Sequence, residues 1–456
     1  MRKRVAAIVT EYRYNSHAEV IVGRMLGEMG YAPRVKVAAL YTDQVPDNDT
    51  GKETAARFAV PLCPSIADTI VTAHNGGGID GIVIIGEHGS YPHNGKGQTM
   101  YPRRRFLEEC LLALDELGLK VPIFCDKHLA YDYDDAQWMY DELKRRGIPF
   151  MGGSSIPHVD KLPPVHRGQL RSAKEFLVVS NGDLEGYGFH AMEVLQSLAE
   201  QRAGGETGVA SVELIGGERG EVWQAMDRGE WPAELLLRAI SVYPDQGSAQ
   251  ECRHLDGGRG KRRQFSGEEL GQERRHSDDG RGKRRQYPGE ELGQERRHSD
   301  NEREQVQQYP DVGTVQEQEQ VHPIEAGGHA YRRLRESEPD PALFVITYRD
   351  GTKGYIIRFR RFSELWGFAI RYGDGEVAAA LCDSDLERPF SHFERFTGLI
   401  EDFIMTGRPP FPMERTLLTT GVICFGMDAL LQGRKLKTPQ LHIQYSEDGS
   451  RLEGES

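Results

Sequence analysis

Short apolar runs alternate with stretches of helical spacing through the first 150 residues. Residues 4–10 (RVAAIVT), 35–41, 79–86 (IDGIVIIG) and 121–125 read as buried strands, with another starting at 149–151. A further short strand is expected at 59–63. Between them, 17–30 repeats Val20, Ile21, Met25, Leu26 and Met29 on one helical face, and 106–117 repeats Leu107, Cys110, Leu111 and Leu114. Residues 54–58, 66–73 and 134–146 read as helices too. A strand that is apolar along its whole length needs cover on both faces. Strands joined through helices run parallel, because a parallel pair needs a crossover. The pattern therefore predicts an α/β doubly wound, Rossmann-like domain over residues 1–155.

The pattern then changes. Strands are expected at 175–179 and 209–215, and helices at 189–200, 222–226 and 232–241. Apolar runs 343–348 and 354–360 flank Asp350-Gly351, and 368–372 and 376–382 flank Asp374-Gly375. Both are hairpin signals. Helices at 389–405 and 416–431 and a closing strand at 441–445 complete an α+β domain with a mostly antiparallel sheet and helices on one face, built from 156–245 and 326–446.

Residues 246–325 interrupt that domain. The segment 253–274 recurs at 275–296 with 18 of 22 positions identical, and a third copy stops at Asp300. These 80 residues hold 13 apolar side chains against 31 charged ones, too few to build a core. They are read as a disordered insert from a tandem duplication. The insert accounts for an apolar content of only 38% across 456 residues. The formal charge of −13 argues against a nucleic-acid protein. No run of about 18 apolar residues occurs, so no membrane span is expected. The six cysteines form no CxxC pair, which fits a cytoplasmic protein without structural zinc.

A dinucleotide-binding turn normally carries glycines between the first strand and helix, where the pyrophosphate rests on the helix N-terminus. Here the turn is Thr10-Glu-Tyr-Arg-Tyr-Asn-Ser16, without glycine. Arg13 is its one phosphate-attracting group, and Ser16 or Asn15 can cap the helix. Asp43, just past the second strand, is a candidate ribose contact. The loop 86–102 follows the strand whose end faces the ligand edge, and it holds Glu87, His88, His93 and Lys96. Long polar loops at that edge are rarely mere connections. It reads as a substrate or phosphate clamp, as a metal site completed by Asp126 or His128, or as an ordered connection.

Three segments carry a family resemblance. Residues 123–130, with Asp126-Lys127-His128 followed by a helix, resemble the E-K-P segment of the glucose–fructose oxidoreductase and inositol dehydrogenase family. Residues 188–193, with His190 and Glu193, are similar to its D-x-G-x-H-x-x-D segment, though Gly186 stands where the family has its first Asp. Arg408-Pro-Pro-Phe411 is similar to its late P-P segment. The resemblance implies NAD or NADP as cofactor and hydride transfer at a sugar- or cyclitol-like hydroxyl, with a homo-oligomer plausible. It implies Lys127 and His190 as catalytic residues, and Arg13, Ser16, Asp43, Glu87 and Asp126 at the cofactor. His88, His93, Lys96, His128 and Glu193 would contact substrate. A metal-assisted or lyase-type enzyme using the 86–102 loop, and a non-catalytic ligand-binding protein, are the alternatives.

Overall fold

The computed structural model describes residues 2–216, 220–244 and 328–446. The repeat-bearing insert expected at 246–325 lies outside the described residues. In chain order the first half runs β1 (Lys3–Val9), α1 (His17–Met25), β2 (Val35–Thr42), α2 (Gly51–Arg57), α3 (Ile66–Asn75), β3 (Gly81–Ile85), α4 (Arg103–Leu117), β4 (Ile123–Asp126), α5 (Tyr133–Arg146) and β5 (Phe150–Gly153). The second half runs β6 (Lys161–Leu162), α6 (Arg167–Leu170), β7 (Ala173–Ser180), α7 (Gly186–Ala199), β8 (Val209–Ile215), α8 (Glu221–Asp227) and α9 (Ala233–Ile240). It continues with α10 (Gly328–Ser337), β9 (Ala342–Tyr348), β10 (Lys353–Arg358), β11 (Gly367–Tyr372), β12 (Val377–Cys382), α11 (Ser391–Thr406), α12 (Met413–Gln432) and β13 (Leu436–Lys437).

The first sheet has the order β2-β1-β3-β4-β5, and every pair in it is parallel. Strand order reverses between β1 and β3, so a crevice opens at their carboxyl ends, where doubly wound sheets bind ligands. Alternation within β1 shows the two-sided cover directly. Ala6 and Ile8 join Phe106, Leu111 and Met139 from α4 and α5, while Val5, Ala7 and Val9 face the other way, toward α1. The second sheet has the order β13-β8-β9-β10-β7-β11-β12-β6. Its pairs are antiparallel except β10 with β7. The architecture is thus a parallel Rossmann-like domain followed by one with a mostly antiparallel sheet.

Four expectations change. The second sheet is covered on both faces. Phe189 and Leu195 of α7 pack on one side with Phe176, Phe344 and Ile356. Trp223, Leu235 and Leu236 of α8 and α9 pack on the other with Leu177, Tyr355 and Ile357. Residues 59–63 make only an isolated bridge, Leu62 with Leu40, and 441–445 leave only a bridge from Tyr445 to Glu206. Most consequential is α11, which returns to the first sheet. Its Phe396, Ile400, Phe403 and Ile404 share a core with Val5, Val9, Val83 and Phe124. A fully buried Glu401 fixes the docking, accepting from the amide and Nε of Arg34 (2.9 and 3.1 Å) and from Tyr31 (2.8 Å).

Candidate active site

The carboxyl ends of β1, β3, β4 and β5 and the start of α7 border a cleft of about 620 Å3, closed on the far side by Arg360, Arg361 and Trp366 and by Phe390 and His392. A larger cleft of about 800 Å3 lies beside β8 and α8. Its lining has no histidine, cysteine or lysine; another of about 750 Å3 holds His158 and Lys161 but not the carboxyl ends of β3 and β4, so position at the parallel sheet's edge singles out the smallest one.

β4 ends at Asp126, and Lys127 follows with a left-handed backbone, φ 71°. That conformation costs a residue with a Cβ of order 1–2 kcal/mol. Two hydrogen bonds hold it, exchanged between the main chains of Lys127 and Gly153 (3.0 and 3.1 Å). Gly153 has φ 120°, and a Cβ on it would stand 2.7 Å from Glu193, so glycine is required there. The Lys127 ammonium meets His190 Nε2 at 2.5 Å, with Glu87 3.9 Å away. His190 Nδ1 lies 2.5 Å from the Ser154 hydroxyl, which also accepts from the Ile156 amide. An ammonium can only donate, so His190 accepts at Nε2 and carries its hydrogen on Nδ1. Burial, and then the charge of Lys127, push His190 well below its ordinary pKa, so the ring is neutral.

Glu87 and His88 follow β3. Burial alone would raise the Glu87 carboxyl, but Lys127 and Arg103 reverse this and hold it far below the usual carboxylate range. Arg103, fully buried at the start of α4, donates to Glu87 at 2.7 Å and lies 3.1 Å from His128 Nε2. The same nitrogen is 3.2 Å from Glu185, which also accepts from Gln98 and the Thr99 amide (both 3.1 Å). This buried layer ties the 86–102 loop to α7 beneath the cleft. Burial and the neighbouring His17 push His88 down to about 3. His17, the first residue of α1, completes the wall, with Nδ1 2.6 Å from Asp126.

The residues singled out in the sequence divide into four groups. Lys127, His190, Glu87 and His88 line the cleft. Asp126 and His128 lie directly beneath it, holding His17 and Arg103. Arg13, Ser16 and Asp43 are engaged within their own turns. His93, Lys96 and Glu193 do not reach the cleft. His93 faces Thr99, and Lys96 pairs with Asp428 at 2.7 Å. Glu193 sits fully buried under β5, accepting from Thr419 at 2.7 Å, and burial raises its carboxyl. His17, Arg103 and Glu185 were missed. The run Arg103-Arg-Arg105 was visible, but which of the three turns inward depends on what α4 packs against. Among the described residues no three His, Cys, Asp or Glu side chains converge as a metal site requires. Among them, too, no helix is long and apolar enough to cross a membrane.

No protein-family model matches this sequence, and no curated protein matches it. Solved structures do match its fold. GenD2 from gentamicin A biosynthesis, in complex with NAD, aligns over 96% of each chain with a TM-score of 0.52 at 11% identity. The myo-inositol 2-dehydrogenase of Lactobacillus plantarum covers 96% of this chain and 99% of its own, with a TM-score of 0.50 at 10% identity. The scyllo-inositol dehydrogenase of Lactobacillus casei gives 0.50 at 8% identity, over 96% and 98%. At such identities the likeness is one of fold: this chain shares the two-domain fold of these dehydrogenases.

Proposed function

We propose that the protein is an oxidoreductase, moving hydride between a nicotinamide cofactor, NAD or NADP, and a hydroxyl carbon of a sugar- or cyclitol-like small molecule. The observation that carries this reading is the Lys127–His190 pair at the carboxyl edge of the parallel sheet, inside a cleft. The inositol dehydrogenases that share the fold suggest the substrate class. When bound, the nicotinamide supplies the hydride acceptor. The chain's own residues handle the proton. The Lys127 ammonium, with one hydrogen spent on His190, turns another to the reacting oxygen and polarises it. Lys127 passes a proton to His190 Nε2 and, as the free amine, takes up the proton that the hydroxyl loses, so the ammonium is restored and the ring carries the released proton. Glu87, 3.9 Å away, offsets the charge of the buried Lys127.

The cleft fits the reactive end of such a cofactor. The β1–α1 turn does not fit the pyrophosphate, since it has no glycine and its amides serve Ser16 and Glu19. The same reading carries a cytoplasmic protein, alone or as a homo-oligomer, acting on small molecules rather than nucleic acid or membrane.

The test is nicotinamide reduction by the full chain with myo-inositol, scyllo-inositol and aldoses, alongside binding of NADH and NADPH. Turnover is expected, and Lys127→Ala is expected to lower kcat by about 100-fold or more. Absence of both turnover and binding would end this reading. The one support for a lyase-type enzyme is the delivery of Glu87 and His88 into the same cleft by the 86–102 loop. Substrate conversion without any nicotinamide would favour that alternative.

A further inference from the structure

Strands β7 and β10 pair in parallel, so their carboxyl ends lie at the same edge, and that edge borders the cleft. The register sets Arg358 opposite Ser180. Asn181 therefore leaves β7 where Arg360 and Arg361 leave β10. The main chain there is fixed. The Phe359 amide donates to the Ser180 carbonyl at 3.0 Å. The buried Glu338 carboxylate accepts from the amides of Arg360, at 2.8 Å, and Arg361.

Both arginine side chains line the cleft, and neither guanidinium has a hydrogen bond or ion pair among the described residues. Arg360 also borders the larger cleft. Asn181, 6% exposed, lines the cleft beside them, and its side-chain nitrogen has no partner either.

The other charges of the lining are mostly committed. Lys127 meets His190 and faces Glu87, which also accepts from Arg103. Asp183 accepts from the amides of Glu185 and Gly186 at the start of α7, at 3.0 and 2.5 Å. Glu364 is the remaining acid, exposed and paired with neither arginine. A neutral polyol gives two guanidinium groups no charge to meet. A carboxylate or a phosphate does, because the guanidinium fork matches either with two parallel hydrogen bonds.

We propose that the substrate is a polyol bearing an anionic group, a carboxylate or a phosphate, which Arg360 and Arg361 hold while Lys127 meets the reacting hydroxyl. The proposal rests on the oxidoreductase reading and deepens it by naming the charge of the substrate. Both arginines come from the second sheet, apart from the β1–α1 turn, so their anion belongs to the substrate rather than the cofactor.

The experiment measures kcat/KM of the full chain on matched compounds, with binding of each followed by calorimetry. Glucose is compared with glucuronate and glucose 6-phosphate, and myo-inositol with its 1-phosphate. An acid is expected to be preferred over its neutral parent by about tenfold or more, the worth of a charge-assisted hydrogen bond. Preference for glucuronate names a carboxylate, and preference for the esters a phosphate. In the double variant Arg360→Gln, Arg361→Gln the preference should vanish through KM, with NADH affinity unchanged. Equal use of neutral and acidic compounds, a preference that survives the double variant, or a loss of NADH affinity in it overturns the proposal and leaves the oxidoreductase reading standing. Binding of an acid that the double variant abolishes, without any nicotinamide turnover, overturns the oxidoreductase reading and keeps the anion site. Neither turnover nor binding overturns both.

Discussion

His190 and His88 stay neutral because burial, and then the positive groups beside them, oppose the charged ring. This has a consequence for stability. A histidine whose folded pKa is depressed binds its proton more readily when unfolded. Its contribution is therefore complete above the ordinary value near 6.5 and is lost as pH falls below it. For His88 the window runs from about 6.5 down to about 3. Glu87, also depressed, adds to the loss in the carboxylate range. Urea unfolding should show stability falling from pH 7 toward pH 4, by up to about 1.4 kcal/mol per pH unit for each such histidine. In His88→Gln the slope is expected to be shallower between pH 6 and 4. An unchanged slope would show that His88 titrates normally. Lys127 and His190 were legible because their segments resemble a known family, and their residue types suit the proton chemistry that resemblance implies. His17 was not, since nothing local marks the first residue of a helix as facing Asp126 across 109 positions.

At the scale of elements, periodicity located most strands and helices but not the short β6, α6 and β13 or the helix α10. Helix α12, expected at 416–431, was located, but its orientation was not legible. It is buried almost all round, so it lacks a polar face to set its orientation. Its close approach to β9 depends on Gly426, where a Cβ would stand 2.3 and 2.9 Å from the ring of the fully buried Phe344. Gly426→Ala gains about 1 kcal/mol of helix propensity. Overpacking a ring that cannot move costs about 1–3 kcal/mol. The packing term outweighs propensity, so the variant should lose up to about 2 kcal/mol of stability in denaturant unfolding. A stabilised variant would show that the ring gives way. Residues 59–63 show the converse limit. They are apolar enough for a strand, but only Leu62 bridges to Leu40.

For the whole molecule, the sequence order of the two sheets conceals how they depend on each other. The residues on either side of 245–321 build one compact unit. Within it α11, nearly 400 residues from β1, supplies part of the first sheet's second face. Residues 1–155 alone therefore carry a parallel sheet whose second face, with Val5, Val9 and Phe124, keeps α1 but loses the cover of α11, and the donors on Tyr31 and Arg34 lose Glu401. Exposed as a contiguous patch, that surface favours association over a stable monomer. Expressed alone, residues 1–155 should aggregate or show no cooperative thermal transition. A monomeric, cooperatively melting fragment would show that α11 is dispensable.

The sequence by itself determined the parallel sheet, the hairpins of the second domain and the edge where Lys127 and His190 meet. The sheet and the hairpins follow from local periodicity and from the covalent limits on crossovers, and the edge from the resemblance of two short segments to a known family. Only the tertiary structure decided which polar groups are free. Arg13, Ser16 and Asp43 carry the right chemistry for a nucleotide, yet each is already satisfied by a neighbour. Tyr91 and Ser90 reach Asp43 and Gln44 only through the path of the 86–102 loop. A side chain's chemistry is fixed by its type. Its availability is fixed by whatever the folded chain places within hydrogen-bond distance, and spacing along the sequence does not encode that.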